Sequence, residues 1–91
     1  YSMLVKNILH QNEPNPWISS TTIKFDLAEE NDIQIIFRDA QGKSLKQIDM
    51  DGMKGTNIIE VNADELNATG MLFYEMIVGE ERISRKMILL D

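Results

Sequence analysis

In TTIKFDL, residues 21–27, every second side chain is apolar: Ile23, Phe25 and Leu27 alternate with Thr22, Lys24 and Asp26. A period of two belongs to an extended chain whose successive side chains point to opposite faces, so this stretch reads as a half-buried strand. DIQIIFRD repeats the pattern with Ile33, Ile35 and Phe37 inward. Between the two lies AEEND, a polar connection of the kind that joins a hairpin. QGK at 41–43 follows FRDA, and Gly42 supplies the positive φ of a tight turn. In SLKQIDM the apolar Leu45, Ile48 and Met50 are unevenly spaced, which predicts a bulge. DGMKG ends that strand, TNIIEV puts Asn57, Ile59 and Val61 on one face, and NADELNATG is a longer crossing whose Leu66 plugs the core. MLFYEMIVG is apolar on both faces, Leu72, Tyr74, Met76 and Val78 on one and Met71, Phe73 and Ile77 on the other, as a central strand would be. After the turn GEE, RISRKMILLD closes the chain with Met87 and Leu89 inward and Lys86, Ile88 and Leu90 outward.

Six such segments, with a seventh at VKNIL, separated by short turn signals, predict an all-β, immunoglobulin-like antiparallel sandwich of about seven strands. No helix is needed for it. At 91 residues the chain is one domain. It has no cysteine, which excludes a disulfide frame, a zinc–thiolate site and a thiol nucleophile. Its net charge of -6 repels a phosphate backbone, so nucleic acid is not an expected partner. No run of roughly 18 apolar residues is present, so no membrane insertion is expected. YSMLVKNILHQ lacks the pattern of a signal peptide, and position 1 is not methionine, which fits a fragment of a longer precursor. Residues 1–7 read as the remnant of a linker from an upstream passenger, and 8–91 as the domain.

QNEPNPW, residues 11–17, sets a stiff, donor-poor segment at the mouth of the first core strand. Pro14 and Pro16 lack backbone N–H groups and restrict Glu13 and Asn15 to extended conformations, so the expectation is a polyproline-like lead-in that blunts a sheet edge. Trp17 then covers one end of the apolar interior, with its indole N–H left near solvent.

Taken in order, the blocks ILHQNEPNPWISSTTIKFDL, FRDAQGKSL, GTNIIEVNADELNATGMLFYEM and SRKMILLD resemble the type A C-terminal sorting domain of the bacterial type IX secretion system, over residues 8–91. The opening block is carried by Gln11, Asn12, Pro14, Asn15, Pro16 and Trp17, ahead of Thr22, Ile23 and Phe25. A D-x-x-G turn follows at Asp39 and Gly42. A Gly-aromatic strand is matched at Gly70, Phe73 and Tyr74, although Leu72 stands where the family has tyrosine; leucine keeps the apolar inward position. The terminal K-x-x-x-L segment is Lys86 and Leu90.

The resemblance implies an address label and not a catalyst, with no cofactor. In such precursors a signal peptide delivers the chain to the periplasm, in transit to the cell surface or the medium. The type IX translocon and outer-membrane shuttle proteins are the implied partners. A sortase-like cysteine peptidase then removes the label and joins the passenger to lipopolysaccharide. The label itself is expected to be a monomer.

Other residues favour plainer readings. His10, the only histidine, makes neither a metal site nor a triad and reads as an exposed linker residue. Asp49, Asp51 and Gly52 lack the later ligands of a calcium loop and read as a turn. Glu29, Glu30, Glu80 and Glu81 are solvated corners, and Asn67-Ala68-Thr69 is a formal glycosylation sequon without meaning in a bacterial protein. Arg82, Arg85 and Lys86 gather cations near the end of an acidic chain, either for edge protection or to help an acceptor grip the last strand. Two rival classes are a glycan-binding module built on Trp17 with Tyr1 or Phe73, and a structural domain like that of flagellar hook-capping proteins. No nucleophile is paired with a base, so an enzyme is the weakest reading.

Overall fold

The computed structural model describes residues 6–91. Tyr1 and most of the expected linker lie outside the described residues. In chain order the elements are β1 (Ile8–Leu9), β2 (Ser20–Leu27), β3 (Asn31–Arg38), β4 (Ser44–Gly52), β5 (Gly55–Asn62), the one-turn helix α1 (Ala63–Leu66), β6 (Gly70–Val78) and β7 (Glu81–Leu89). They form two antiparallel sheets, β1-β2-β5 and β4-β3-β6-β7, which make an all-β sandwich. No helix among the described residues is long and apolar enough to cross a membrane.

The alternating pattern places the core where it predicts. Ile23, Phe25 and Leu27 from β2 and Val61 from β5 face Ile33, Ile35 and Phe37 from β3, Leu72, Tyr74 and Met76 from β6, and Met87 and Leu89 from β7. β6 is hydrogen-bonded on both sides, to β3 and β7, as its two apolar faces require. The bulge expected near Leu45 is present: Phe37 pairs with Lys46 and Arg38 with Ser44, leaving Leu45 as the extra residue. Leu66 is buried, carried by α1 instead of a plain loop, so one short helix is part of the fold. Asn62 N–H donates to Glu65 Oε1 at 2.9 Å, and Asn67 ends the turn in the left-handed conformation at φ 53°.

AEEND does not join a hairpin. β2 and β3 lie in different sheets, so the segment is a corner that carries the chain across the sandwich. Alternation records which side chains face the core, and it is the same whether successive strands lie side by side or face each other. Nor is Asp49-Met50-Asp51-Gly52 a turn; it is the last part of β4, with Asp49 and Asp51 pointing outward. Gly52 is buried there, and a Cβ at this position would collide with Leu27 Cδ1 and lie 3.2 Å from the Asn31 carbonyl oxygen.

Candidate functional site

The segment from His10 to Ile18 crosses between the two sheets along one open side of the sandwich. It first runs beside β2, where His10 N–H donates to Lys24 O, Glu13 N–H to Thr22 O and Thr22 N–H to Glu13 O. It then switches partner. Trp17 N–H donates to Ile88 O at 3.0 Å and Leu90 N–H to Trp17 O at 2.8 Å, a parallel bridge on the free edge of β7. The edge is blunted, as expected, but by a bend at residues 14–16 and not by an extended polyproline lead-in; Glu13-Pro14 and Asn15-Pro16 are both cis.

Buried polar side chains fix this crossing. Asn12, 1% exposed, donates through Nδ2 to Pro14 O and to Thr21 Oγ1, and Thr21 Oγ1 in turn donates to Pro14 O at 2.9 Å. Beneath it, Tyr74 Oη donates to His10 O at 2.7 Å and accepts from Asn12 N–H at 2.8 Å. Burial pushes the Tyr74 hydroxyl above its ordinary pKa, so it stays a neutral donor. Two side chains then tie the segment to β7: Gln11 Nε2 donates to Lys86 O at 2.7 Å, and Asn15 Oδ1 accepts from Ile88 N–H at 2.9 Å. Arg85 Nε donates to Leu9 O at 2.7 Å and closes the same seam from the strand side.

His10 is a half-buried partner and not an exposed linker residue. Its Nε2 lies 2.8 Å from Asp26 Oδ2, and that bond, with a second from Thr56, holds the Asp26 carboxyl below its ordinary range. Trp17 is also deeper than expected. It is 1% exposed, and its indole N–H is buried without a hydrogen-bond partner instead of lying near solvent. The packing of the ring over the end of the core decides its place, at the cost of one unmade hydrogen bond. A buried ring offers no face to a glycan.

The sequence-predicted residues divide by exposure. Trp17 and Tyr74 are buried and Phe73 is half-buried, while Pro14, Asn15, Pro16, Gly70, Lys86 and Leu90 are exposed. Met87 and Leu89 point into the core, so Lys86, Ile88 and Leu90 point out, Ile88 at 42% and Leu90 at 46% exposure. Pro14, Pro16, Ile18 and Leu90 line an open cleft of about 400 Å³. Gly70, at φ 91°, pairs with Leu89, and Phe73 lies opposite Lys86. Asp39 and Gly42 stand apart, in the β3–β4 turn two strands away from β7. There Asp39 Oδ1 accepts from Gln41 N–H and Lys43 N–H while Gly42 adopts φ 90°. Thr21 was not among the expected site residues, and Asn12 was named only as part of the opening block, although an asparagine two before a proline is a signal for such a side-chain-bonded turn.

Among the described residues no group of three His, Cys, Asp or Glu is placed to hold a metal ion. What the site presents is a rigid, largely aliphatic surface beside a lysine. No curated protein matches the chain. A family model described as a secretion system C-terminal sorting domain matches residues 14–90. Because that match runs from the first proline to the last leucine of the seam just described, the chain belongs to the C-terminal sorting domain family, the sorting signals of the type IX secretion system.

Proposed function

We propose that the domain, residues 8–91, is the address label of a larger exported precursor, joined to its passenger through residues 1–7, and that it acts by being gripped and not by catalysis. It passes through the periplasm as a folded monomer on its way to the cell surface or the medium. The type IX translocon and outer-membrane shuttle proteins bind it, and a sortase-like cysteine peptidase afterwards separates it from the passenger. The order β1-β2-β5 against β4-β3-β6-β7 supports placing the sandwich among immunoglobulin-like folds.

The observation that carries the reading is the closing strand. Its outward side chains Lys86, Ile88 and Leu90 are exposed, and the Pro14–Trp17 block is hydrogen-bonded to the backbone of Ile88 and Leu90. Exposed apolar side chains at the end of a strand suit a partner's pocket. Gly70, Phe73 and Tyr74 shape the neighbouring strand, and Asp39 and Gly42 hold the hairpin beyond it. The test is transfer. Fused to the C-terminus of a periplasmic reporter, the 91-residue chain delivers the reporter to the surface of a bacterium that has the type IX machinery, and a translocon-deficient strain retains it in the periplasm. Equal delivery of the unfused reporter contradicts the reading.

A further inference from the structure

The outward face of the β4-β3-β6-β7 sheet is polarised in a way that the sorting motif does not account for. Cross-strand register puts Arg38, Phe73 and Lys86 in one row, with Phe73 between the two cations, and puts Met71 opposite Ile88 in the next row on the same face. Met71 is 48% exposed, and Lys86 is in no ion pair among the described residues. Glu75 is already engaged, 3.9 Å from Arg38 Nη2 and 3.5 Å from Arg82 Nη1. At the other end of the face the register places Asp32 opposite Asp51 and Asp49 opposite Gln34, while Arg82, two strands from Gln34 in that same row, is taken up by Glu75. Asp32 and Arg38 are six residues apart on one strand, about 20 Å. That exceeds the screening length of physiological salt, about 8 Å, so an approaching surface feels the two ends separately.

We infer that this face is a docking surface for a folded protein whose complementary patch has an apolar centre over Met71, Phe73 and Ile88, carboxylates near Arg38 and Lys86, and cations toward Asp49 and Asp51. The inference rests on reading the chain as a sorting label and names the chemistry of its acceptor. The charge pattern selects among occupants. A uniformly anionic membrane would be repelled by the aspartate end. A second copy turned about a two-fold axis would pair the charges but would lay the Met71–Ile88 patch against Asp32 and Asp51. A protein of opposite polarity satisfies both halves, and the polarity fixes the orientation in which it docks.

The test uses residues outside the sorting motif. Arg38→Gln with Met71→Ser alters the face; Lys24→Gln with Ile58→Ser, a cross-strand pair on the outside of the other sheet, is the control. Fused to the reporter, the face variant is delivered to the surface about tenfold less than wild type, a loss that a few weakened contacts produce. The control is delivered normally, and the two purified variants melt within a few degrees of each other. Should the double variant not fold, Ser84→Trp keeps every named side chain while a bulky ring obstructs the face, with Glu60→Trp as its control. Normal delivery of a folded face variant overturns the docking surface and leaves the sorting reading intact; failure of the wild-type chain to deliver overturns both. The purified wild-type chain neither co-sediments with vesicles containing lipopolysaccharide or anionic phospholipid nor dimerises in sedimentation. Vesicle binding abolished by Arg38→Gln, or a dimer abolished by the face variant, overturns the protein partner in favour of a membrane or a second copy.

Discussion

Tyr74 shows how one hydroxyl can hold two sheets together. It sits on β6, yet both of its hydrogen bonds reach the segment at residues 10–12, which runs beside the other sheet. Tyr74→Phe keeps the ring and leaves Asn12 N–H buried without its partner, so it costs about 2 kcal/mol in chemical denaturation. Asp32 illustrates the opposite sign. Its carboxyl is held above the ordinary value of 3.8 by the hydrogen bond it shares with Asp51 and by that group's charge. A raised carboxylate contributes stability that is complete below its ordinary pKa and is lost as the pH rises through the raised value. Asp32→Asn therefore raises Tm at pH 7, and the gain disappears on acidification below 3.8. At this scale the sequence told which side chains go inward, because a period of two carries that and little else. It could not tell that His10 meets Asp26 or that the Trp17 N–H goes unpaired, since both depend on which segment crosses which sheet.

Among the elements, the crossing segment and β7 depend on each other. β7 would be a free edge without the backbone of Trp17, and the segment would lose two of its ties to β7 without the N–H groups of Ile88 and Leu90. Asn15→Ala removes the acceptor for Ile88 N–H, which water can partly replace at this exposed edge, so the expected loss is about 1 kcal/mol. Amide exchange at Ile88 measures the same bond locally and is faster in the variant. Gly52→Ala is harsher. Its Cβ meets the Leu27 side chain inside a packed core, and about 2 kcal/mol of overpacking is expected in the denaturation midpoint. Apart from the end of β4 at Asp49–Gly52, which reads as a turn, the strand positions, the Leu45 bulge and the Gly42 turn were legible, because each has a local cause in alternation or backbone freedom. The AEEND corner was not. Pairing of β2 with β5 is a non-local choice, and a polar five-residue connection accommodates a hairpin or a crossover equally well.

At the scale of the whole molecule, the sandwich presents the two most distinctive blocks of the chain, which lie more than sixty residues apart in sequence, on one seam. The order of those blocks carries the family's resemblance; only the fold brings Asn15 and Trp17 onto the backbone of β7. On the proposed reading, signal and stability are separated on alternate side chains of one strand. The most direct measurement exploits that separation, with thermal unfolding of the purified chain read alongside surface protease accessibility of a fused reporter. Lys86→Ala with Leu90→Ala changes two exposed side chains, so it lowers stability by no more than about 1 kcal/mol while abolishing surface delivery. Met87→Asp buries an unpaired charge in the core and unfolds the domain. If the double variant is folded and is still delivered as well as wild type, the outward face of β7 is ordinary strand surface, and the account of it as the signal is wrong.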